Sequence, residues 1–100
     1  MNKRKFPLGQ VVTTPGVVEL IEKYDATPGV LVPFLRRHQM GDWSDVNDED
    51  KAANDLSVEQ GFRILSAYHL HGERLWVITE ADRSVTTVLL PSAYALISLS

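Results

Sequence analysis

The hydrophobic period of this chain changes once, at Gly61, and that change restricts the fold more than any other feature. Before Gly61 the apolar residues recur at helical spacing. After it they alternate, with Phe62, Ile64, Ser66, Tyr68 and Leu70 on one side of the strand axis and Arg63, Leu65, Ala67, His69 and His71 on the other. His71-Gly72-Glu73 reads as a turn. Leu75, Val77 and Thr79 then alternate with Trp76, Ile78 and Glu80. A second turn follows at Ala81-Asp82-Arg83, then Val85, Thr87 and Leu89 alternate until Pro91. Three β-rich runs joined by short turns predict an antiparallel meander. One face should pack on helices and the other should meet water or a partner.

The first sixty residues predict helices. Thr14 reads as an N-cap and Pro15 as a first helical residue, with Val17, Leu20, Ile21 and Tyr24 forming one stripe. Pro33 starts a second helix that runs to about Met40 and stops at Gly41. Its last turn carries Arg36, Arg37 and His38, where positive charge complements the helix dipole. Asn47 caps a third helix whose first turn is Asp48-Glu49-Asp50, whose apolar stripe is Ala52, Ala53 and Leu56, and which ends at Gly61. The expected class is α+β: about three N-terminal helices packed on a three-stranded antiparallel meander, with Gln10–Thr13 as a short extra strand. Residues 1–100 read as one domain, with a basic tail at 1–7 and an apolar tail at 95–100.

Several classes of function are excluded. The longest apolar runs are too short for the ~20 residues that span a bilayer, and no apolar stretch follows the basic start, so no membrane role and a cytoplasmic location are expected. The chain has no cysteine, which removes thiol nucleophiles and zinc ribbons. A calcium loop begun at Asp45 fails at Asp50 and Leu56, where glycine and glutamate are needed. His69 and His71 lack a third metal ligand nearby. No cofactor and no metal are expected. The net charge of −3 is uneven, because seven carboxylates lie between Asp42 and Glu59 while the residues before Asp42 are mostly basic.

The groups left for chemistry are few. His38, Gly41, Asp42 and Trp43 form a cluster in which Asp42 can orient the His38 imidazole; in the alternative, His38 caps the helix and Trp43 covers the core. Asp82 and Arg83 lead into Thr86 and Thr87, and Arg83, joined by Arg63, can hold a phosphate or carboxylate. The catalytic candidates are therefore His38, Asp42, Arg63, Tyr68, Arg83 and Thr86, and the binding candidates Trp43, Asp82, Arg83 and Thr87.

Five blocks carry a resemblance: Leu8–Val12 with Thr14-Pro15-Gly16; Arg37-His38 with Gly41-Asp42-Trp43; Glu49-Asp50-Lys51 with Ala53-Asn54; Ile64–Tyr68; and Trp76–Ser84 with Thr86-Thr87, Leu89-Leu90-Pro91 and Tyr94. Together the chain resembles a family of short bacterial proteins carried on plasmids, integrons and other mobile elements. Its members are often labelled plasmid-related or as type I restriction methylase subunits. The resemblance implies a setting on mobile DNA. It does not imply a methylase reaction, since the chain has no Asn-Pro-Pro-aromatic motif and no glycine-rich cofactor loop.

Two functions follow as expectations. The first is an accessory module that binds a protein partner or itself, through the sheet or the tail at 95–99. The second is a small metal-independent ribonuclease of toxin type, with His38 as acid or base and Arg63 or Arg83 on the phosphate. The acidic middle of the chain argues against the ribonuclease, since it would repel RNA; for the chain as a whole the sequence leaves a nucleic acid partner undecided.

Overall fold

Alternation after Gly61 produces three strands, and a computed structural model, which describes residues 4–94, shows what they pair with. The elements are β1 (Gln10–Thr13), α1 (Pro15–Lys23), a 3-10 turn (Pro28–Leu31), α2 (Val32–Gln39), α3 (Asp48–Gln60), β2 (Ile64–Leu70), β3 (Glu73–Thr79), β4 (Val85–Leu89) and a second 3-10 turn (Pro91–Ala93). The class is α+β. The sheet is not a plain three-stranded meander, however. Its order is β1-β4-β3-β2, and β1 lies parallel to β4, so the sheet is four-stranded and mixed. Parallel pairing needs a long crossover, which here contains every helix and two strands.

Turn chemistry fixes the register. His71 and Gly72 both take positive φ, the pair of left-handed residues that a two-residue hairpin turn requires. Leu70 therefore faces Glu73, and Ile64 faces Thr79. His71 belongs to this turn rather than to the strand, and its ring stacks on Tyr24 at 4.0 Å between centroids. His69 instead meets Asp45 at 2.7 Å. The two histidines do not share a strand face.

Val17, Leu20 and Ile21 of α1 pack with Leu31 on Tyr68, Leu70, Leu75, Val77 and Val88. The α1 stripe is thus the predicted one, except that Tyr24 lies exposed. Thr14 has the extended backbone of an N-cap, but its side chain makes no cap bond. The second face of the sheet also buries its centre, at Ala67, Ile78 and Leu89, so it is not the open, water-facing surface that alternation suggested. A second cluster joins Phe6, Trp43, Val46, Ile64 and Ala67.

α3 departs from its sequence pattern. Asn47 caps it, accepting from the Asp50 N–H at 2.8 Å, and Gly61 ends it at φ +79°. Yet Ala52, Ala53 and Leu56, the expected stripe, are exposed, with Leu56 at 52%. The buried residues are Asn54 and Ser57. Asn54 replaces apolar packing with paired hydrogen bonds: its amide donates to the Leu65 carbonyl at 2.6 Å and its oxygen accepts the Leu65 N–H at 3.1 Å. Removing both partners orphans two strand groups. Asn54→Ala is therefore expected to cost about 2–3 kcal/mol. Urea unfolding reads this as a lower midpoint at unchanged slope, and a midpoint within error of wild type would show that Asn54 does not hold α3 to β2.

Candidate functional site

The polar residues singled out by the sequence occupy two layers. The inner layer is a chain of hydrogen bonds through the core. Leu31, just before α2, and Phe34 and Leu35 within it face the core at helical spacing, and His38 continues the series, so it points inward and is 0% exposed. Its Nδ1 lies 2.5 Å from Ser66 Oγ on β2, and its Nε2 lies 2.9 Å from Thr79 Oγ1 on β3. Thr79 Oγ1 lies 2.7 Å from Thr86 Oγ1 on β4, and Thr86 donates to the Leu8 carbonyl at 2.7 Å.

One fixed acceptor orients the whole chain. A carbonyl only accepts, so Thr86 must spend its proton on Leu8. Thr79 then donates to Thr86, and His38 Nε2–H donates to Thr79. Nδ1 is left as the acceptor of the Ser66 hydroxyl. The imidazole is neutral and carries its proton on Nε2. Burial pushes its pKa down to about 3, and the positive charge of Arg83 adds to the shift. A general acid or base working near neutrality needs the opposite tuning, and it needs an open path. Both ring nitrogens of His38 are already engaged, and none of its surface meets solvent.

The expected pairing of His38 with Asp42 does not form. Asp42 is taken by Arg37, whose Nε donates to it at 2.7 Å, and Asp42 Oδ1 also accepts the Ser44 N–H at 3.2 Å. Adjacent residues on a helix diverge by about 100°, so only one of Arg37 and His38 can face the core. Tyr68 is buried and donates to the Asp42 carbonyl at 2.7 Å, and burial raises its pKa to about 12. It holds the loop after α2 and is not free to position a phosphate. Trp43 is buried, with its indole N–H donated to Asp55 at 3.0 Å, so it covers the core rather than lining a binding surface.

The outer layer is the β3–β4 turn. Arg63 and Arg83 both lie there and both bind Glu80, one at its carboxylate and the other at its carbonyl. Arg63 donates to Glu80 from both Nε and Nη2, at 3.1 and 3.0 Å. Arg83 reaches three carbonyls, at Phe62 (2.7 Å), Glu80 (3.1 Å) and Ser57 (2.8 Å). It therefore ties the end of α3 and the start of β2 to the turn. Asp82 accepts from the Ser84 N–H and hydroxyl and shapes the turn. Thr87 is half-buried on the second sheet face, opposite to Thr86.

Phe6 separates the layers. Its ring meets His38 edge-on at 5.1 Å, and the Arg83 guanidinium lies 5.5 Å over it. Thus His38 and Thr86 are closed off, Arg83 lies half-buried on the outer side of Phe6, and Arg63 stays outside with Glu80. No family model, curated protein or solved structure matches this chain. Among the described residues no group of three potential metal ligands occurs, and no helix is long and apolar enough to cross a membrane.

Sequence reasoning did not single out Ser66 and Thr79 as partners of His38. The signal was present, since both stand at core-facing positions of apolar strands, where a hydroxyl needs a buried partner. The same reasoning passed over β1 as a surface. All four of its residues are exposed, with Val11 at 41% and Val12 at 36%. The Gln10 and Thr14 N–H groups point inward, to Ser84 and Val88 carbonyls. Parallel ladders use every second residue, so the N–H and C=O of Val11 and Thr13 point away from β4.

Proposed function

We propose that this chain is a non-enzymatic interaction module whose association surface is the outer edge of β1, which pairs with no strand but β4 among the described residues, and that its partner is a second copy of itself. The outward N–H and C=O groups of Val11 and Thr13 carry this reading. A two-fold axis through Val12 lets Val11 of one copy exchange two hydrogen bonds with Thr13 of the other, and the reverse. It also sets Val12 against its own counterpart. The edge is thus self-complementary, the property an isologous dimer needs. The hydrogen bonds that engage both ring nitrogens of His38, and the three carbonyls that Arg83 holds, support a structural role for those residues. Carriage on mobile DNA, as an accessory protein, belongs to the same proposal and rests on the sequence blocks alone.

Sedimentation equilibrium tests it. Wild-type protein is expected to dimerise with rising concentration. Val12→Lys, which sets two like charges opposite each other, is expected to stay monomeric with an unchanged circular dichroism spectrum. A wild-type chain that remains monomeric at millimolar concentration, or a Val12→Lys chain that dimerises as well as wild type, overturns the proposal.

A further inference from the structure

The segment before β1 does more than cover His38. The Lys5 N–H donates to the Gln39 carbonyl at 2.8 Å, and the Gln39 side-chain amide donates to the Phe6 carbonyl at 3.0 Å. These two bonds, with buried Phe6, fix the backbone of residues 5–6 against the last turn of α2. Arg4 is thereby set beside Arg36. The two arginines, with Gln39 and Met40, line a cleft of about 270 Å³.

Two guanidiniums at one concavity repel each other, and among the described residues neither has a carboxylate partner. The ordinary structural use of Arg36, which is to satisfy the last carbonyls of its helix, is already filled. The Arg36 carbonyl accepts from Met40 N–H, Arg37 from Asp42 N–H, His38 from Gly41 N–H and Gln39 from Lys5 N–H. Arg37, the next residue, is used up by Asp42 and Ser44. The Lys5 side chain runs over Gly41, where a Cβ would lie 2.8 Å from its Cε, and adds a third cation near the same turn. Positive charge is thus concentrated, held by backbone and not neutralised. In size the cleft falls just below the range of drug-sized pockets, which suits a compact ligand.

We propose that this cleft binds a phosphate group. Planar guanidinium forks match the tetrahedral oxygens of phosphate, and two such forks together with one amide suit a doubly charged anion. The site is independent of the β1 edge. The same chemistry is presented by the free ion and by a phosphorylated end of a larger molecule.

Nuclear magnetic resonance titration at constant ionic strength tests it, with inorganic phosphate and then a 5′-phosphorylated dinucleotide as probes. Saturable shifts are expected at the amides of Gln39 and Met40 and at Arg36 Nε. Arg36→Gln is expected to weaken binding about tenfold or more, since a hydrogen bond to a charged group is worth at least that factor. Arg4→Gln should act in the same sense. Arg37→Gln should change affinity by less than about twofold, because that side chain is already engaged. Saturation by inorganic phosphate assigns the site to the free ion, and saturation by the phosphorylated dinucleotide alone assigns it to a phosphorylated end. The proposal is overturned if neither probe saturates. It is equally overturned if Arg36→Gln and Arg37→Gln lose affinity alike, or if the dinucleotide binds as well without its phosphate while inorganic phosphate does not saturate.

Discussion

Acidification from pH 6.5 toward pH 3 is expected to remove stability on the order of 4 kcal/mol through His38 alone. The sign follows from the proton count. In the unfolded chain the imidazole takes up a proton near pH 6.5, whereas in the folded chain burial holds that uptake down to about pH 3. Between these values the unfolded state binds more protons, so stability rises with pH. The contribution is fully present above pH 6.5, and it falls by up to about 1.4 kcal/mol per pH unit as the solution is acidified. Protonation adds a donor at Nδ1, where Ser66 already donates, so the buried Ser66 hydroxyl has to turn to accept and its own proton loses the Nδ1 acceptor. Urea midpoints measured at intervals between pH 7 and pH 5 test this, against His38→Gln as the non-titrating comparison. Carboxylates contribute little in that range. A wild-type profile as flat as that of His38→Gln would show that the ring is not held neutral by the fold.

Gly9→Ala is expected to cost at least about 3 kcal/mol, although it adds a single methyl group at the surface. Gly9 has φ +64°, and a Cβ there would overlap the backbone carbonyls of Arg83 and Ser84. Neither atom belongs to a flexible side chain. β1 begins at the next residue, with Gln10 N–H donating to the Ser84 carbonyl at 3.0 Å, and the preceding Leu8 carbonyl ends the His38 chain. The methyl therefore separates β1 from β4 and opens the inner layer at the same time. Gly61 provides the comparison. It also has positive φ, at +79°, but nothing lies within 4 Å of its Cβ position. Gly61→Ala should cost only about 1 kcal/mol, the left-handed backbone term. Thermal unfolding separates the two, since each kcal/mol lowers the midpoint by about 4–8 °C in a domain of this length. Equal shifts for the two variants would mean that the contact of Gly9 with the β3–β4 turn does not hold the strand.

The two experiments probe one structural fact from opposite ends. The N-terminal segment is an integral part of the core. Phe6 lies on His38 and under Arg83, and Leu8 terminates the hydrogen-bond chain. This explains why His38 and Thr86, which read as part of a catalytic set, lie in one hydrogen-bond chain and yet stand closed to solvent. A polar core cluster needs every donor and acceptor matched, and histidine with threonines supplies that match as readily as it supplies catalysis.

Much of the fold was legible in local chemistry. Alternation gave β2, β3 and β4, since side chains on a strand point to opposite faces in turn. Asn47 and Gly61 marked the ends of α3 because capping and left-handed termination depend on a few neighbouring atoms. Pro15 and Pro33 marked helix starts for the same reason. The meeting of Arg63 with Glu80 was also within reach of strand pairing, since the adjacent Ile64 and Thr79 face each other.

What the local pattern did not contain was the identity of distant neighbours. α3 carried an apolar stripe at Ala52, Ala53 and Leu56, yet it docks through Asn54, because the matching partner is the exposed backbone of Leu65 rather than an apolar surface. Asp42 lies four residues from His38 and pairs with Arg37 instead, because His38 is drawn inward by Ser66 and Thr79, 28 and 41 residues away. Pairing of β1 with β4 joins residues from opposite ends of the chain. By itself the sequence determined the three α-helices, the strands after Gly61 and the α+β class, since these depend on periodicity and on groups within a turn or two. The tertiary structure alone decided which polar residues are spent on the protein and which are left for a ligand. That depends on donors and acceptors meeting across the sheet: His38 and Thr86 find partners on neighbouring strands and Arg83 holds three carbonyls, whereas Arg4 and Arg36 have no carboxylate partner among the described residues.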